Sequence, residues 1–131
     1  MNAAVELHDS EVVAISRVAG AVVVRLSAYV HRSSGRPGID PGSGWSQAVE
    51  FTFACGLVDT LPAELPCTLD DGDVSGSVEF VGMVPLPLSV RSLVLFKARG
   101  VHGEPLGIRG YGLEVSPVTE AVYVEEFPGS L

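Results

Sequence analysis

Lysine is almost missing from this chain. Lys97 stands alone, and with seven scattered arginines it faces 16 acidic residues, for a formal net charge of −8. Phosphate binding needs clustered Lys and Arg to displace counterions, so a general nucleic-acid binder is excluded. The acidic surplus instead serves to keep an apolar chain in solution. Long hydrophobic runs are missing too. The longest candidates, "AVVV" and "SLVLF", are strand-sized, far short of the roughly 18–20 residues of a membrane span. No membrane partner is expected. The opening "MNAAVELHDSEVV" has no basic stretch leading into an apolar one, so no secretory signal is expected and the expected location is cytoplasmic.

Cysteine is scarce, with only Cys55 and Cys67, widely spaced and without a neighbouring His. That spacing forms no metal pattern, and a cytoplasmic protein is not expected to carry a structural disulfide. Cys55 follows Val49, Phe51 and Phe53 at period two and is predicted to be a buried core thiol. Helical periodicity is lacking as well. The stretch "FTFACGLVDTLPAELP" is broken by Pro62 and Pro66 before a helix has room to form.

What is present is alternation. Fifteen glycines and nine prolines punctuate the whole length, and period-two apolar patterning runs between them, the mark of β-structure. A chain of 131 residues can bury a core without disulfide or metal staples. The expectation is one all-β domain over residues 1–131, an antiparallel β-sandwich or flattened barrel of seven to nine strands. The first strand is predicted over Glu11–Val18, with a tight turn at Ala19-Gly20. The second, Ala21–Val30, turns Val22, Val24, Leu26, Ala28 and Val30 one way and Val23, Arg25, Ser27, Tyr29 and His31 the other. A third, Ser46–Gly56, faces Val49, Phe51, Phe53 and Cys55 inward. A fourth covers Val74–Val81 with Val74, Val78 and Phe80 buried, after an irregular connection that ends in "LDDGD". Three Asp in that motif superficially suggest a calcium loop, but it lacks the ligand progression of an EF-hand and reads as an acidic, solvated turn.

"GMVPLPLSV" holds two prolines without ladder donors and is an edge or crossing segment. The last third reads as a meander of "RSLVLFKARG", "LGIRGYGLEVSP" and "TEAVYVEEF". Across "GYG" the apolar parity switches from Leu106 and Ile108 to Leu113 and Val115, and a one-residue bulge is predicted there to restore the inward face.

Candidate functional residues concentrate in "HRSSGRPGIDPGSGWSQ", His31–Gln47, read as a long loop between strands two and three. Long loops in compact domains are functional or mobile, and this one combines Arg32, Arg36, Asp40 and Gln47 with Trp45, the only tryptophan. An aromatic ring beside amides and guanidinium groups suits ligand or partner contact; the plainer role for Trp45 is to cap the core. "LHDS" supplies His8, Asp9 and Ser10. Adjacent residues cannot form a nucleophile–base–orienter triad, and no G-x-S-x-G elbow occurs, so Asp9 or Ser10 is expected to accept from backbone N–H groups at the strand entry. A metal site would need His8, His31 and His102 to converge, with Asp9, Asp40 or Glu104. None has a diagnostic spacing, so no metal and no cofactor are expected, and His102 is expected in an exposed turn. A polar outward face is also expected where Arg25, Tyr29 and His31 share one parity, Tyr123 and Glu125 another, and Arg109 and Tyr111 a third.

"LHDSEVVAI", "AYVHRSSGRPGIDPGSGWSQ" and "VYVEEFPG" together resemble a group of small bacterial all-β proteins of uncharacterised function. The "LHDS" hairpin, through His8, Asp9 and Ser10, loosely resembles one in some immunity proteins of bacterial polymorphic-toxin systems. Neither resemblance carries a catalytic set. The leading expectation is a non-enzymatic binding or protein-interaction domain that uses His31–Gln47 and the adjoining sheet face. One form is an acidic immunity-type partner of a basic toxin, its association electrostatically driven. The alternatives are a small-ligand- or metal-binding protein or hydrolase-like enzyme using His8, Asp9, His31 and Asp40 with Arg36, and a homodimer in which the loop embraces a neighbour through Trp45.

Overall fold

The computed structural model describes residues 1–129 and contains, among them, strands and turns without a helix. Twelve strands follow in order: β1 (Asn2–Val18), β2 (Ala21–Ser33), β3 (Gly42–Phe53), β4 (Leu57–Thr60), β5 (Cys67–Gly76), β6 (Phe80–Val81), β7 (Met83–Pro85), β8 (Leu88–Val90), β9 (Val94–Gly100), β10 (Pro105–Gly110), β11 (Leu113–Pro117) and β12 (Val122–Phe127). The all-β antiparallel class is as expected. The strand count is higher because four elements have only two to four residues, too short to show a periodicity in sequence.

The sheet runs β4-β10-β9-β5-β1-β2-β3-β11-β8, with β12 added to β3, β6 to β5 and β7 to β1. Its two ends do not pair, so it is open. It nevertheless folds over on itself: Phe96 of β9 lies 5.5 Å from Phe51 and 5.9 Å from Phe53 of β3, ring centre to ring centre, although three strands separate β9 from β3 in the ladder. Between the two halves lies one apolar core, with Val5, Leu7, Val12, Leu69, Val84, Ile108, Leu113 and Val115 also closed off from solvent. The predicted inward set of β2 is all buried. Ala19 and Gly20 both take positive φ (49° and 85°), the two-residue turn whose twist matches the flanking strands.

Several local expectations are corrected. Cys55 is exposed, not buried: β3 ends at Phe53, and Cys55 adopts φ 48° in the turn that follows, so the period-two rule stops one residue pair early. "LDDGD" is part of β5, not a turn. Its Asp71 and Asp73 pair with Arg99 and Lys97 of β9, which supplies the opposite charge that makes acidic strand positions tolerable. Strand four therefore begins at Cys67, with Val74 in the core while Val78 and Phe80, beyond its end, pack against it half-buried. At "GYG" no bulge forms. The chain leaves β9 and β4 and joins β3 and β8 by a sharp bend at Tyr111-Gly112, tied by Tyr111 N–H to the Ala54 carbonyl (2.9 Å). Gly112 sits at φ 152°, and a Cβ there would press on Ala54 and the Val90 carbonyl. The parity switch was real; its cause is a change of sheet half. The terminal meander is also incomplete, since β12 pairs with β3 and not with β11. The proline segment is a crossing, as expected, from β7 on β1 to β8 on β11.

Phe96 is the side chain through which the two halves meet. Phe96→Ala is expected to cost about 3–5 kcal/mol in urea unfolding, and a loss below about 1 kcal/mol would show that the halves do not depend on this contact.

Candidate functional site

The long loop is mostly a hairpin. β2 and β3 stay in unbroken register from Val22↔Phe53 to Ser33↔Gly42, which leaves residues 34–41 as the connection. His31, Arg32, Trp45 and Gln47 thus stand on strands, and the reading of 31–47 as one loop is corrected. Glycine and proline misled here: Gly42 and Gly44 lie within β3 because other groups fill the space a Cβ would take. At Gly44 that Cβ would collide with the Tyr29 hydroxyl. The connection is held by its own bonds. Ser33 Oγ donates to the Pro41 carbonyl (2.8 Å) and accepts from Gly35 N–H (3.0 Å), while Asn2 Nδ2 donates to the Gly35 carbonyl (2.7 Å). Arg36 and Asp40 are spent on each other: Arg36 N–H donates to Asp40 Oδ2 (2.6 Å), and the guanidinium lies 3.5 Å from the same oxygen.

The strand alternation then splits the remaining candidates between the two faces of the hairpin. On the core side, the Arg32 guanidinium stacks over the Trp45 ring, 4.5 Å from its centre. Trp45 packs half-buried against the end of the core, meets the Tyr123 ring edge-on at 5.4 Å, and donates from Nε1 to Ser43 Oγ (2.8 Å). Trp45 therefore does cap the core, and it also presents a face to Arg32. Gln47, 8% exposed, donates from Nε2 to the Thr119 carbonyl (2.8 Å), but its Oε1 has no donor. Arg32, Gln47 and residues 117–121 line a cleft of about 560 Å³. Among the described residues no carboxylate pairs with Arg32, whereas Arg25, Arg36, Arg99 and Arg109 each have one.

On the other side, "LHDS" forms a wide bulge of β1. Glu6 pairs with Tyr29 and Glu11 with Ser27, so Leu7, His8, Asp9 and Ser10 all stand opposite Ala28. Leu7 and Ser10 turn inward and are buried; His8 and Asp9 turn out. Ser10 replaces the lost ladder: its hydroxyl donates to the Glu6 carbonyl and accepts from Tyr29 N–H (3.1 Å). This is the backbone role expected of Asp9 or Ser10, and Ser10 fills it. Asp9 takes φ 72°, a left-handed conformation that Asp tolerates better than most side chains. It brings Oδ2 to 3.3 Å from His8 Nδ1. Ser10 faces away from both, so no triad exists.

His31 was expected to face outward among polar neighbours. It does share that face, but it is 4% exposed, covered by Tyr29 and Phe127 (ring centres 5.0 and 4.9 Å) and approached by Gly38 of the connection. Neither imidazole nitrogen has a hydrogen-bond partner, and Nε2 lies 3.6 Å from Glu6 Oε1. Tyr29 donates its hydroxyl to Glu125 (2.6 Å). Burial first, then that bond and the charges of Glu125, Glu6 and Asp9, push the Tyr29 hydroxyl up to about 12. A register shift in β12 between Tyr123 and Glu125 puts these two on opposite faces, against the expectation that they share one. Arg109 pairs with Asp59 on β4, and Tyr111, expected to share its strand parity, lies in the bend beyond the end of β10.

Family models, curated sequences and solved structures give no match to this chain. Function is therefore read from these residues alone. Glu6 and Thr119 were not singled out in the sequence, and Tyr123 and Glu125 only as part of a polar outward face, because only the pairing of β1, β3 and β12 brings them to the candidates. His102 is in an exposed turn, as expected, and Asp40 joins neither group. Cys67 is buried, with its thiol pushed up by burial and by donation to Glu104, which disfavours the nucleophilic thiolate.

Removing the Ser10 hydroxyl deletes its bonds to the Glu6 carbonyl and the Tyr29 N–H, so Ser10→Ala is expected to cost about 1–3 kcal/mol in chemical denaturation; a neutral result would show that the bulge is held by other contacts. Tyr29 ionises later in the fold than in the unfolded chain. Its contribution to stability is therefore intact below about pH 10 and is lost as pH rises toward about 12. Absorbance titration should show Glu125→Gln lowering that midpoint.

Proposed function

We propose that this is a non-enzymatic interaction domain whose recognition surface is the core-side end of the β2–β3 hairpin with β12. The observation that carries this reading is the Arg32–Trp45 stack beside the Gln47 cleft. A guanidinium held over an indole face, with no carboxylate of its own among the described residues, has N–H groups to offer a planar anion. Gln47 Oε1 is an acceptor without a donor, which a bound N–H would satisfy. Pro117, Val118 and Ala121 supply an apolar wall. A partner's peptide segment fits this chemistry when it offers a backbone N–H next to a carboxylate.

β12 supports a protein partner over a free small molecule. It pairs only with β3 among the described residues, and Val122, Tyr123 and Val124 are 66%, 50% and 49% exposed. An edge strand of this kind is a template for a further strand. The net charge of −8 acts at longer range and favours a partner of net positive charge, consistent with an immunity-type role against a basic toxin; the carboxylate at Arg32 is then a local contact within it.

Trp45 reports on its own site, since no other tryptophan exists. N-Acetylglycine, which joins an amide N–H to a carboxylate, is expected to change the tryptophan fluorescence saturably, with a dissociation constant on the order of 1 mM. N-Acetylglycinamide should not, and Arg32→Ala should abolish the response. Equal responses to acid and amide, or none to either, would overturn the assignment.

A further inference from the structure

The Arg32–Trp45 cleft lies at one end of an unfilled lane of the sheet. β11 and β12 both pair antiparallel with β3, β11 along residues 49–53 and β12 along residues 42–46. They therefore follow each other in one lane and in the same direction. The connection between them closes the gap over β3. Val118 N–H donates to the Ala48 carbonyl (2.8 Å), Ala48 N–H donates to Thr119 Oγ1 (3.1 Å), and Gln47 Nε2 donates to the Thr119 carbonyl (2.8 Å). The next lane outward is half occupied. β8 fills it along β11, with Leu88 opposite Val115 and Val90 opposite Leu113. Along β12 it holds no strand among the described residues. A strand added to β12 meets the start of β8 once it has passed Val122. It has to end or turn away beside residues 117–121, which form the wall of the cleft.

We propose, building on the recognition surface assigned above, that β12 takes up the C-terminal strand of a partner protein in antiparallel pairing, and that the partner's terminal carboxylate is the anion held by Arg32. Direction follows from charge. β12 runs from Val122, next to the cleft, to Phe127, so an antiparallel strand brings its C-terminus to the cleft and a parallel one its N-terminus. Arg32, which no carboxylate pairs among the described residues, attracts a carboxylate and repels an ammonium. Gln47 sets the second requirement. It is 8% exposed and its Oε1 has no donor, and the N–H of the terminal residue satisfies it beside the carboxylate. Main-chain pairing on a free edge then adds to a local anion contact. The rest of the track is acidic and apolar. Glu120 lines the cleft, Glu125 and Glu126 are exposed on β12, and Val122 and Val124 are 66% and 49% exposed. Residues ahead of the partner's terminus are therefore basic and apolar. Pro128, directly after β12, offers no N–H, which limits the track to the 6 residues of β12.

The probe is N-acetyl-Arg-Val-Lys-Val-Lys-Gly with a free C-terminal carboxylate, titrated against the full chain by Trp45 fluorescence, with hydrogen exchange of the β12 amides followed with and without it. It should bind at least about 10-fold tighter than N-acetylglycine, because strand pairing adds to the anion contact, and it should slow exchange within residues 122–126. The same peptide ending in an amide should lose at least about 10-fold. N-Acetyl-Arg-Val-Lys-Val-Asp-Gly amide, whose carboxylate is internal, should bind no better than that amide. If the internal carboxylate binds as tightly as the free acid, the chain-end assignment is overturned while the Arg32–Trp45 surface stands. A free acid no tighter than N-acetylglycine, or β12 amides that exchange unchanged at saturation, would overturn strand addition. Silence toward N-acetylglycine and the free-acid peptide alike would remove the surface and the strand together. All of these readouts use the unmutated protein, so no folding defect can obscure them.

Discussion

The unbroken antiparallel pairing of β2 with β3, twelve residue pairs long, is the constraint on which both candidate residue groups depend. Strict alternation along two paired strands puts even positions of β2 and odd positions of β3 on the core side. From Val22 to Val30 on β2, with Trp45 closing the end on β3, this row packs the core. Where the same two strands run past it, the alternation continues but the requirement for apolar side chains ends. The core-side row then reads Arg32–Ser43, and the other row reads Tyr29–Ser46 and His31–Gly44. One ladder thus delivers a guanidinium on an indole to one face and a buried imidazole to the other, without any loop holding either in position.

Irregularities elsewhere adapt neighbours to this rigid pair. β1 follows β2 closely at both ends but opens between Glu6 and Glu11, and Ser10 closes the gap by bonding the Glu6 carbonyl and the Tyr29 N–H at its edge. That substitution lets His8 and Asp9 both turn outward, which no regular strand allows for adjacent residues. In β12 the shift between Tyr123 and Glu125 does the same with opposite effect, sending Tyr123 to Trp45 and Glu125 to Tyr29. Two bulges therefore compose the two groups, each by breaking period two at one point.

Gly44 shows why the glycine-rich stretch was misread. In sequence, "PGSGW" has the composition of turns. In the fold, Gly42 and Gly44 are paired strand residues whose missing side chains admit the Arg32 carbonyl and the Tyr29 hydroxyl. Composition records where a side chain is missing but not whether flexibility or crowding is the reason, and here the reason is crowding. Cys55 was misread in the opposite sense, because an alternating pattern does not state where a strand stops.

The sequence by itself determined the all-β class, the inward residues of β2 and most of β3, the Ala19-Gly20 turn and the exclusion of the proline segment from a central strand. Each of these follows from local rules: alternation, positive-φ tolerance and the missing proline N–H. It also contained nearly all the residues of both groups, as His8, Asp9, His31, Arg32, Trp45 and Gln47. Their partition into two groups was decided only by tertiary structure, as was the exclusion of Arg36 and Asp40 and the recruitment of Glu6, Tyr29 and Tyr123. Those choices rest on registers between strands far apart in the chain, and a register is set by the fit of whole strands against one core, which no local pattern encodes.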